Sequence, residues 1–335
     1  MPEIRQNLAT KEWVIIATER AKRPHTYAET ERQSITHHRE AHDTNCPFCV
    51  GNEELDLETG RWPNEDPWQT RSVHNRYPAL DKDENLSRSF KGSERFISGV
   101  GHHEVVVEHP KHNTTLGLMT ASEVTAVLDM FYTRGWDIRN DQRVKQIVYF
   151  KNHGRQAGAS LLHPHSQIIG LPVVPNNIRQ RIQEARRYFD DTGTCVFCTM
   201  IASEMQNPER IISVNDHFVA SIPYAASTPF NIWIVPHKHT VSFLYTTPEE
   251  RIGLASVLQD VLHRLYIALN DPDYNLIIRS APVSELGNDY LHWHLEIIPR
   301  LSQAAGFELG SGMHINPSFP EECASFLRDL RVNGT

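Results

Sequence analysis

No excess of basic charge is present: 33 Lys and Arg stand against 41 Asp and Glu, a formal net charge of −8. A dedicated DNA or RNA binder needs a basic face to neutralise phosphates, so the balance argues against that class. A small phosphorylated ligand held by local groups remains compatible with it. Long apolar runs are missing as well. Stretches such as 230–236 are far shorter than the roughly 20 residues that cross a bilayer, and the start, Met1 to Arg5, carries no apolar signal core. The expectation is a cytoplasmic protein that neither spans a membrane nor binds nucleic acid. With 39% hydrophobic and 22% charged residues the chain reads as globular, and its 335 residues suggest about two domains.

Cysteine is scarce, at five, whereas histidine reaches 19. Four of the cysteines form C-x-x-C pairs, Cys46/Cys49 and Cys195/Cys198, and Cys323 stands alone. In a reducing compartment such pairs read as metal ligands or redox motifs rather than a disulfide framework. The abundance of His, some of it in H-x-H arrangements, tips the reading toward metal.

The chain also repeats itself. Cys46-Pro47-Phe48-Cys49 is answered by Cys195-Val196-Phe197-Cys198, and the segment from Val73 to Ala79 by that from Val214 to Ala220. The strand-like Val105–Val107 leads to His112, and Ile232–Val235 leads to His239. Thr120 with Glu123, and Thr247 with Glu250, both read as capping boxes. Behind them Val124, Val127, Leu128 and Phe131, and Leu254, Val257, Leu258, Val261, Leu262 and Leu265, have helical spacing. Strand-like runs follow at 147–150 and 276–278, and His163-Pro164-His165 is answered by His292-Trp293-His294. This order predicts an α+β fold of two copies, each a mostly antiparallel sheet with one packed, capped helix, spanning residues 1–185 and 186–335. The Arg-rich stretch 177–191 reads as a connecting helix, and 63–68 and 81–93 as polar surface loops.

Each copy offers a closed metal site. The sets are Cys46, Cys49, His112 and His163, and Cys195, Cys198, His239 and His292. Two thiolates and two imidazoles suit tetrahedral Zn2+ and leave no open position, the mark of a structural site. Two zinc ions per chain are expected, with His237 as a competitor for the place of His239. Redox pairs with unrelated histidines would make the duplication of the whole pattern a coincidence.

On a strand, His163, His165 and Gln167 share one face. With His163 on zinc, His165 is left free, and a largely neutral imidazole is a competent nucleophile toward phosphorus. Just upstream, the Gly-containing loop 152–160 is suited to presenting backbone N–H groups, Asn152 and Ser160 to phosphate oxygens. The second H-x-H is followed by Glu296 instead of Gln, and His294 and Glu296 read as packing or interface remnants of the duplication. His37, His38, His42, His102 and His103 read as surface groups. Arg179, Arg181, Arg186 and Arg187 read as a solvated helix face rather than an anion site.

The run from His163 to Ile169 resembles the active-site strand of the histidine-triad superfamily, with Gln in place of the third His. Over nearly its full length the chain resembles the galactose-1-phosphate uridylyltransferase branch, which carries two such histidine-triad-like domains. That resemblance implies that His165 becomes nucleotidylylated and that Gln167 hydrogen-bonds the transferred phosphoryl group. It places Asn75, Arg76 and Tyr77 in the nucleoside-contacting segment, and Asn152, Gly158, Ser160 and Ser166 among the nucleotide- and phosphate-binding groups. Phe307 and Glu308 fall in the hexose-binding segment. A Gln cannot relay protons, which favours a transferase over a hydrolase. The implied cycle is ping-pong: His165 takes UMP from UDP-glucose, glucose 1-phosphate leaves, and galactose 1-phosphate receives the UMP, in galactose metabolism. A homodimer is implied as well. A rival with the same His165 is an ADP-sugar phosphorylase or adenylyltransferase, and Pro164 leans toward the uridylyltransferase. A non-catalytic double-zinc module would have no use for a free His165 and Gln167 beside a polar Gly loop.

Overall fold

The structure, a computed structural model, describes residues 1–20, 36–302 and 304–330. Its centre is a ten-stranded sheet made of two five-stranded halves. The first half holds β3 (Glu58–Trp62), β4 (Thr70–His74), β7 (His102–Val107), β8 (Gln146–His153) and β9 (His165–Leu171). The second holds β10 (Ile211–Val214), β11 (Phe218–Ser221), β12 (Ile232–Pro236), β13 (Tyr274–Arg279) and β14 (His294–Pro299). Read across the sheet, the order is β10-β11-β12-β14-β13-β8-β9-β7-β4-β3. The second half thus retraces the first in mirror order, and the two meet where β8 pairs antiparallel with β13. Outside this sheet, β1 (Glu3–Gln6), β2 (Trp13–Ile16) and β15 (His314–Asn316) form a small sheet of their own.

The two capped helices form where expected. Helix α1 (Ala121–Arg139) begins at Thr120, whose hydroxyl accepts from the Glu123 N–H while Glu123 accepts from the Thr120 N–H. Helix α4 (Pro248–Leu269) begins the same way at Thr247 with Glu250. Between them in the chain lie α2 (Asn176–Thr192) and α3 (Val196–Gln206); α5 (Gly306–Ser311) and α6 (Pro320–Arg328) follow. Helices α1 and α4 lie against each other, joined by the Arg251–Asp129 ion pair, and cover one face of the sheet. Val124, Val127, Leu128 and Phe131 of α1 and Leu254, Val257, Leu258 and Val261 of α4 enter one core with Val106, Ile168, Ile234 and Leu295 from both halves. Helix α4 is long and apolar enough to cross a bilayer, but its apolar residues are the buried centre of this core.

The sheet's opposite face is dressed unequally. In the second half α2 and α3 cover it, through Val196, Phe197, Trp233, Ala185 and Leu291. In the first half the strand face bearing His165 looks into an open cavity of about 330 Å³. The segment 81–93, expected as loop, contributes β5 (Arg88–Lys91) to a hairpin with β6 (Glu94–Ile97). Gly92, at φ 58°, supplies the tight turn between them.

Gly135 marks where α1 presses hardest on the sheet. A Cβ there would lie 2.0 Å from the Tyr149 hydroxyl and 2.8 Å from Leu244 Cδ2. Gly135→Ala should therefore cost about 1–3 kcal/mol through overpacking. Since the Tyr149 hydroxyl is buried without a partner, Tyr149→Phe added to that variant should recover part of the loss. Denaturant unfolding of both variants checks this; a Gly135→Ala variant as stable as the parent would contradict it.

Candidate active site and metal clusters

The expected ligands converge. Among the described residues Cys46, Cys49, His112 and His163 form one cluster, and Cys195, Cys198, His239 and His292 another, each with its ligand atoms within 4.8 Å of one another. Cys49 Sγ lies 3.5 Å from His112 Nδ1 and 3.6 Å from His163 Nδ1. Cys198 Sγ lies 3.4 Å from His239 Nδ1 and 3.6 Å from His292 Nδ1. Sulfur and nitrogen bound to one tetrahedral zinc sit about 3.5 Å apart, given Zn–S of about 2.3 Å and Zn–N of about 2.0–2.1 Å. The outer nitrogens are anchored alike: His163 Nε2–H donates to the His109 carbonyl at 2.8 Å, and His292 Nε2–H to the Pro236 carbonyl at 3.1 Å. Such anchors fix the tautomer and aim Nδ1 at the metal position. Burial pushes the Cys46 thiol up to about 11 and the Cys198 thiol to about 12, so a cation is needed to hold them as thiolates. Burial lowers His163 and His292 to about 3, which keeps both imidazoles in the ligating neutral form. His237 is not in the cluster; its Nε2 faces the Asn215 carbonyl at 3.1 Å.

His165 opens β9. Its Nδ1–H donates to the His163 carbonyl at 2.7 Å, which leaves Nε2 unprotonated. Burial lowers the pKa of this ring, so the imidazole is neutral at pH 7. The ring lines the 330 Å³ cavity together with Phe48, Asn75, Arg76, Tyr77, Ser160 and Gln167. Asn75 Oδ1 accepts from the Tyr77 N–H at 2.8 Å, and exposed Arg76 pairs with Glu54 at 3.1 Å. Asn152 and Gly158 frame the loop behind the cavity. Gly158 adopts φ 91° and Gly154 φ 82°, and a Cβ on Gly154 would lie 2.0 Å from Asp273 Oδ1. Asp273 in turn accepts from the Gln156 N–H at 2.6 Å.

Three placements depart from the sequence reading. Ser166, grouped with the phosphate contacts, turns its hydroxyl to the opposite face, where it donates to Glu108; strand alternation between His165 and Gln167 requires this. His103, read as a surface group, accepts the Ala79 N–H at Nδ1 (3.0 Å) and so donates from Nε2 to Gln167 Oε1 at 2.8 Å. The Gln167 amide nitrogen is thereby the end left to face a ligand. Arg181, read as part of a solvated face, is half-buried with its Nη1 buried and unpartnered, whereas Arg179, Arg186 and Arg187 are exposed. Phe307 and Glu308 sit on α5, outside the lining of the His165 cavity in their own chain, and Glu308 is engaged by the Ala305 N–H.

Two further residues had no signal in the spacing. Arg71, 1% exposed, lines the cavity; its Nη1 pairs loosely with Glu58 at 3.7 Å and its Nε makes no hydrogen bond, so it is a buried cation only partly engaged where an anion would enter. Asn275, from the second half, donates to Asn152 Oδ1 at 2.8 Å and to the Ala157 carbonyl at 2.9 Å, and so holds the Gly loop. An unexplained buried Arg on a strand was the sole local hint for the first. The second depends on a long-range register.

This architecture and its buried imidazole beside a Gly loop define a class of two-repeat phosphoryl-site proteins. Residues 1–175 match the family model of the galactose-1-phosphate uridyl transferase N-terminal domain, and residues 179–316 that of its C-terminal domain. The chain belongs to the galactose-1-phosphate uridylyltransferase family, whose members are nucleotidyltransferases. It is 36% identical over 337 residues to an ADP-glucose phosphorylase of Arabidopsis thaliana, covering 99% of this chain and 93% of that one. It is 33% identical over 342 residues to a galactose-1-phosphate uridylyltransferase of Thermotoga maritima, covering 99% of each. Among solved structures, the Arabidopsis thaliana ADP-glucose phosphorylase with bound ADP-glucose superposes with a TM-score of 0.83 at 34% identity, covering 99% and 100% of the two chains. A uridylyltransferase superposes with a TM-score of 0.75 at 26% identity, covering 98% and 97%.

Beneath His165, Lys151 Nζ pairs with Glu108 at 2.7 Å, with side-chain exposures of 1% and 0%, and also donates to the His165 carbonyl at 3.2 Å. Lys151→Met should cost about 3–5 kcal/mol, because Glu108 is left buried without its cation. The double variant Lys151→Met/Glu108→Leu should lose less than the single one. Thermal unfolding of the two tests this, and equal losses would exclude an uncompensated charge as the cause.

Proposed function

We propose that the protein moves UMP between UDP-glucose and galactose 1-phosphate through a uridylyl group on His165. The carrying observation is the free Nε2 of a neutral, backbone-anchored imidazole beside Gln167 in an open cavity. Nε2 attacks the α-phosphorus of UDP-glucose, the bond to the bridging oxygen breaks, and glucose 1-phosphate leaves with the electron pair. A phosphate oxygen of galactose 1-phosphate then attacks the same phosphorus, the P–N bond breaks, and UDP-galactose departs with His165 restored. Gln167 donates an amide N–H to a non-bridging oxygen, Asn152 and Ser160 hydrogen-bond the phosphates, and the Arg71 guanidinium adds positive charge beside them. Gln167 stands where a third His would relay a proton and cannot do so, which supports transfer over hydrolysis. Asn75, Arg76 and Tyr77 take the nucleoside.

A second reading has His165 carry AMP from ADP-glucose to orthophosphate. It is favoured by the similarity to the ADP-glucose phosphorylase, in sequence and in the ADP-glucose-bound structure. Mass spectrometry after separate incubation with UDP-glucose and ADP-glucose separates the two: a UMP adduct on His165 supports the first, an AMP adduct the second, and no adduct refutes both. His165→Gly should form no adduct, yet free imidazole should restore transfer as UMP-imidazole.

Both clusters are assigned to structural Zn2+, one in each repeat, the donor set and spacing being those of closed tetrahedral sites. Elemental analysis should give about two Zn2+ per chain. Replacing Cys195 and Cys198 with Ser should lower stability while leaving nucleotidyl transfer detectable in protein that stays folded. Trace metal only, or loss of the adduct in well-folded variant protein, would overturn this. A cytoplasmic placement is part of the proposal, because a reducing compartment keeps C-x-x-C pairs available as metal ligands. A homodimer is part of the same proposal, with Phe307 and Glu308 meeting the hexose in the partner's site.

A further inference from the structure

The second repeat retains a cavity where the first has its nucleophile. It measures about 90 Å³ and lies beneath α2, between Ile147, Ile178, Ile182 and Ile277. Three polar side chains bring unpartnered atoms to it. Both ring nitrogens of His294, which is 3% exposed, are buried and unbonded, as are Arg181 Nη1 and Gln146 Oε1. His294 is clasped between Phe197 and Trp233, each ring 4.7 Å away, so it cannot turn out to find water.

The charge is unbalanced in a definite sense. Glu296 is engaged by Arg279 at 2.8 Å and accepts from Trp233 Nε1 at 3.2 Å. Arg181 feels Glu296 and exposed Glu12 but makes no ion pair with either among the described residues. Leaving a buried guanidinium N–H unpaired is costly, so the cavity is complementary to an anion. The walls limit which one: they are mostly apolar, with isoleucine the commonest residue, which suits an apolar body behind the charged group. The volume is below the roughly 150 Å³ of a cavity that holds benzene, so the body is short.

We propose that this cavity is a binding site for a short-chain carboxylate of two to four carbons. Its carboxylate sits on Arg181 and the His294 N–H, and its carbon chain lies among the isoleucines. Gln146 Oε1 is placed to accept from a ligand hydroxyl, which favours a hydroxy acid. The site is separate from the His165 cavity, and the assignment does not depend on which nucleotide His165 carries.

Calorimetric titration of the zinc-loaded full chain with glycolate, propionate and inorganic phosphate tests this. Saturable binding of glycolate or propionate at one per chain is expected, weakened by about tenfold or more in Arg181→Leu. That variant should unfold no earlier than the parent, since it removes an unpaired buried cation. Should Arg181→Leu fail to fold, Arg181→Gln, which keeps a donor but no charge, should still weaken binding. Absence of saturable binding by either carboxylate, binding of phosphate alone, or affinity unchanged in the folded variant would each overturn the assignment. Adduct formation at His165, measured alongside, should be unaltered by Arg181→Leu.

Discussion

Much of the molecule hangs on the antiparallel pairing of Ile278 to Tyr274 with Tyr149 to His153. This seam converts two five-stranded halves into one sheet, and it lets α1 and α4 share a single core instead of closing two small ones. Burying apolar area in one large core leaves less rim exposed than two small cores would. The seam also has a local consequence. It sets Asn275 opposite Asn152, and from there Asn275 reaches the Ala157 carbonyl of the Gly loop. A loop carrying two left-handed glycines would be entropically free to wander; here the other repeat pins it. The candidate active site of the first repeat is thus partly built by the second.

The repeats, alike in trace, differ in what lies over them. In the first, β9 presents His165 and Gln167 to an open cavity. In the second, α2 and α3 bring Ala185 and Phe197 across the same face, Ala185 packing with Leu291, and His294 is closed in. The residue two places on follows the change. Gln167 is oriented by His103 and keeps a donor toward the cavity, whereas Glu296 spends its oxygens on Arg279, Trp233 and Asn231. Burial alone would raise that carboxyl, but Arg279 and Arg181 bring it down to about 2, so it is a fixed anion in the wall of the covered face. One duplicated pattern therefore yields an accessible nucleophile and a closed pocket, and the difference lies in the covering helices.

What could be read from the chain followed from short-range rules. C-x-x-C and H-x-H spacing, and Thr with Glu three residues later, are local patterns whose geometry is set by bond lengths and helix pitch, and all of them converge as expected. Strand alternation placed His165 and Gln167 together, and applied to Ser166 it would also have turned that hydroxyl away. Residues missed by the sequence reading act over long separations. His103 reaches Gln167 only because β7 and β9 pair in a particular register; Arg71 and Arg181 show buried nitrogens without hydrogen bonds only once the chain is packed. Charge on a helix such as 176–192 reads as solvated face because most of it is. The single Arg turned inward carries no mark in its neighbours.

The two imidazoles also differ in what holds their inner nitrogen. His163 joins its metal cluster through Nδ1, while its carbonyl takes the Nδ1–H of His165. One residue thus ties the ligand shell to the ring that faces the cavity. On the other side Glu108 accepts from Lys151 and Ser166, its own N–H donates to the Pro164 carbonyl, and Lys151 reaches the His165 carbonyl. A buried ion pair contributes little net stability. What these bonds contribute is position: the backbone from His163 to Ser166 is held from both faces, so the His165 tautomer and ring direction are set before any ligand arrives. His294 holds the matching place in its H-x-H motif yet has no acceptor at Nδ1. A histidine in the right motif is therefore not sufficient. A ring whose Nδ1 proton is committed to a fixed carbonyl presents a defined lone pair at Nε2, and of the two matching rings, His165 and His294, that ring is His165.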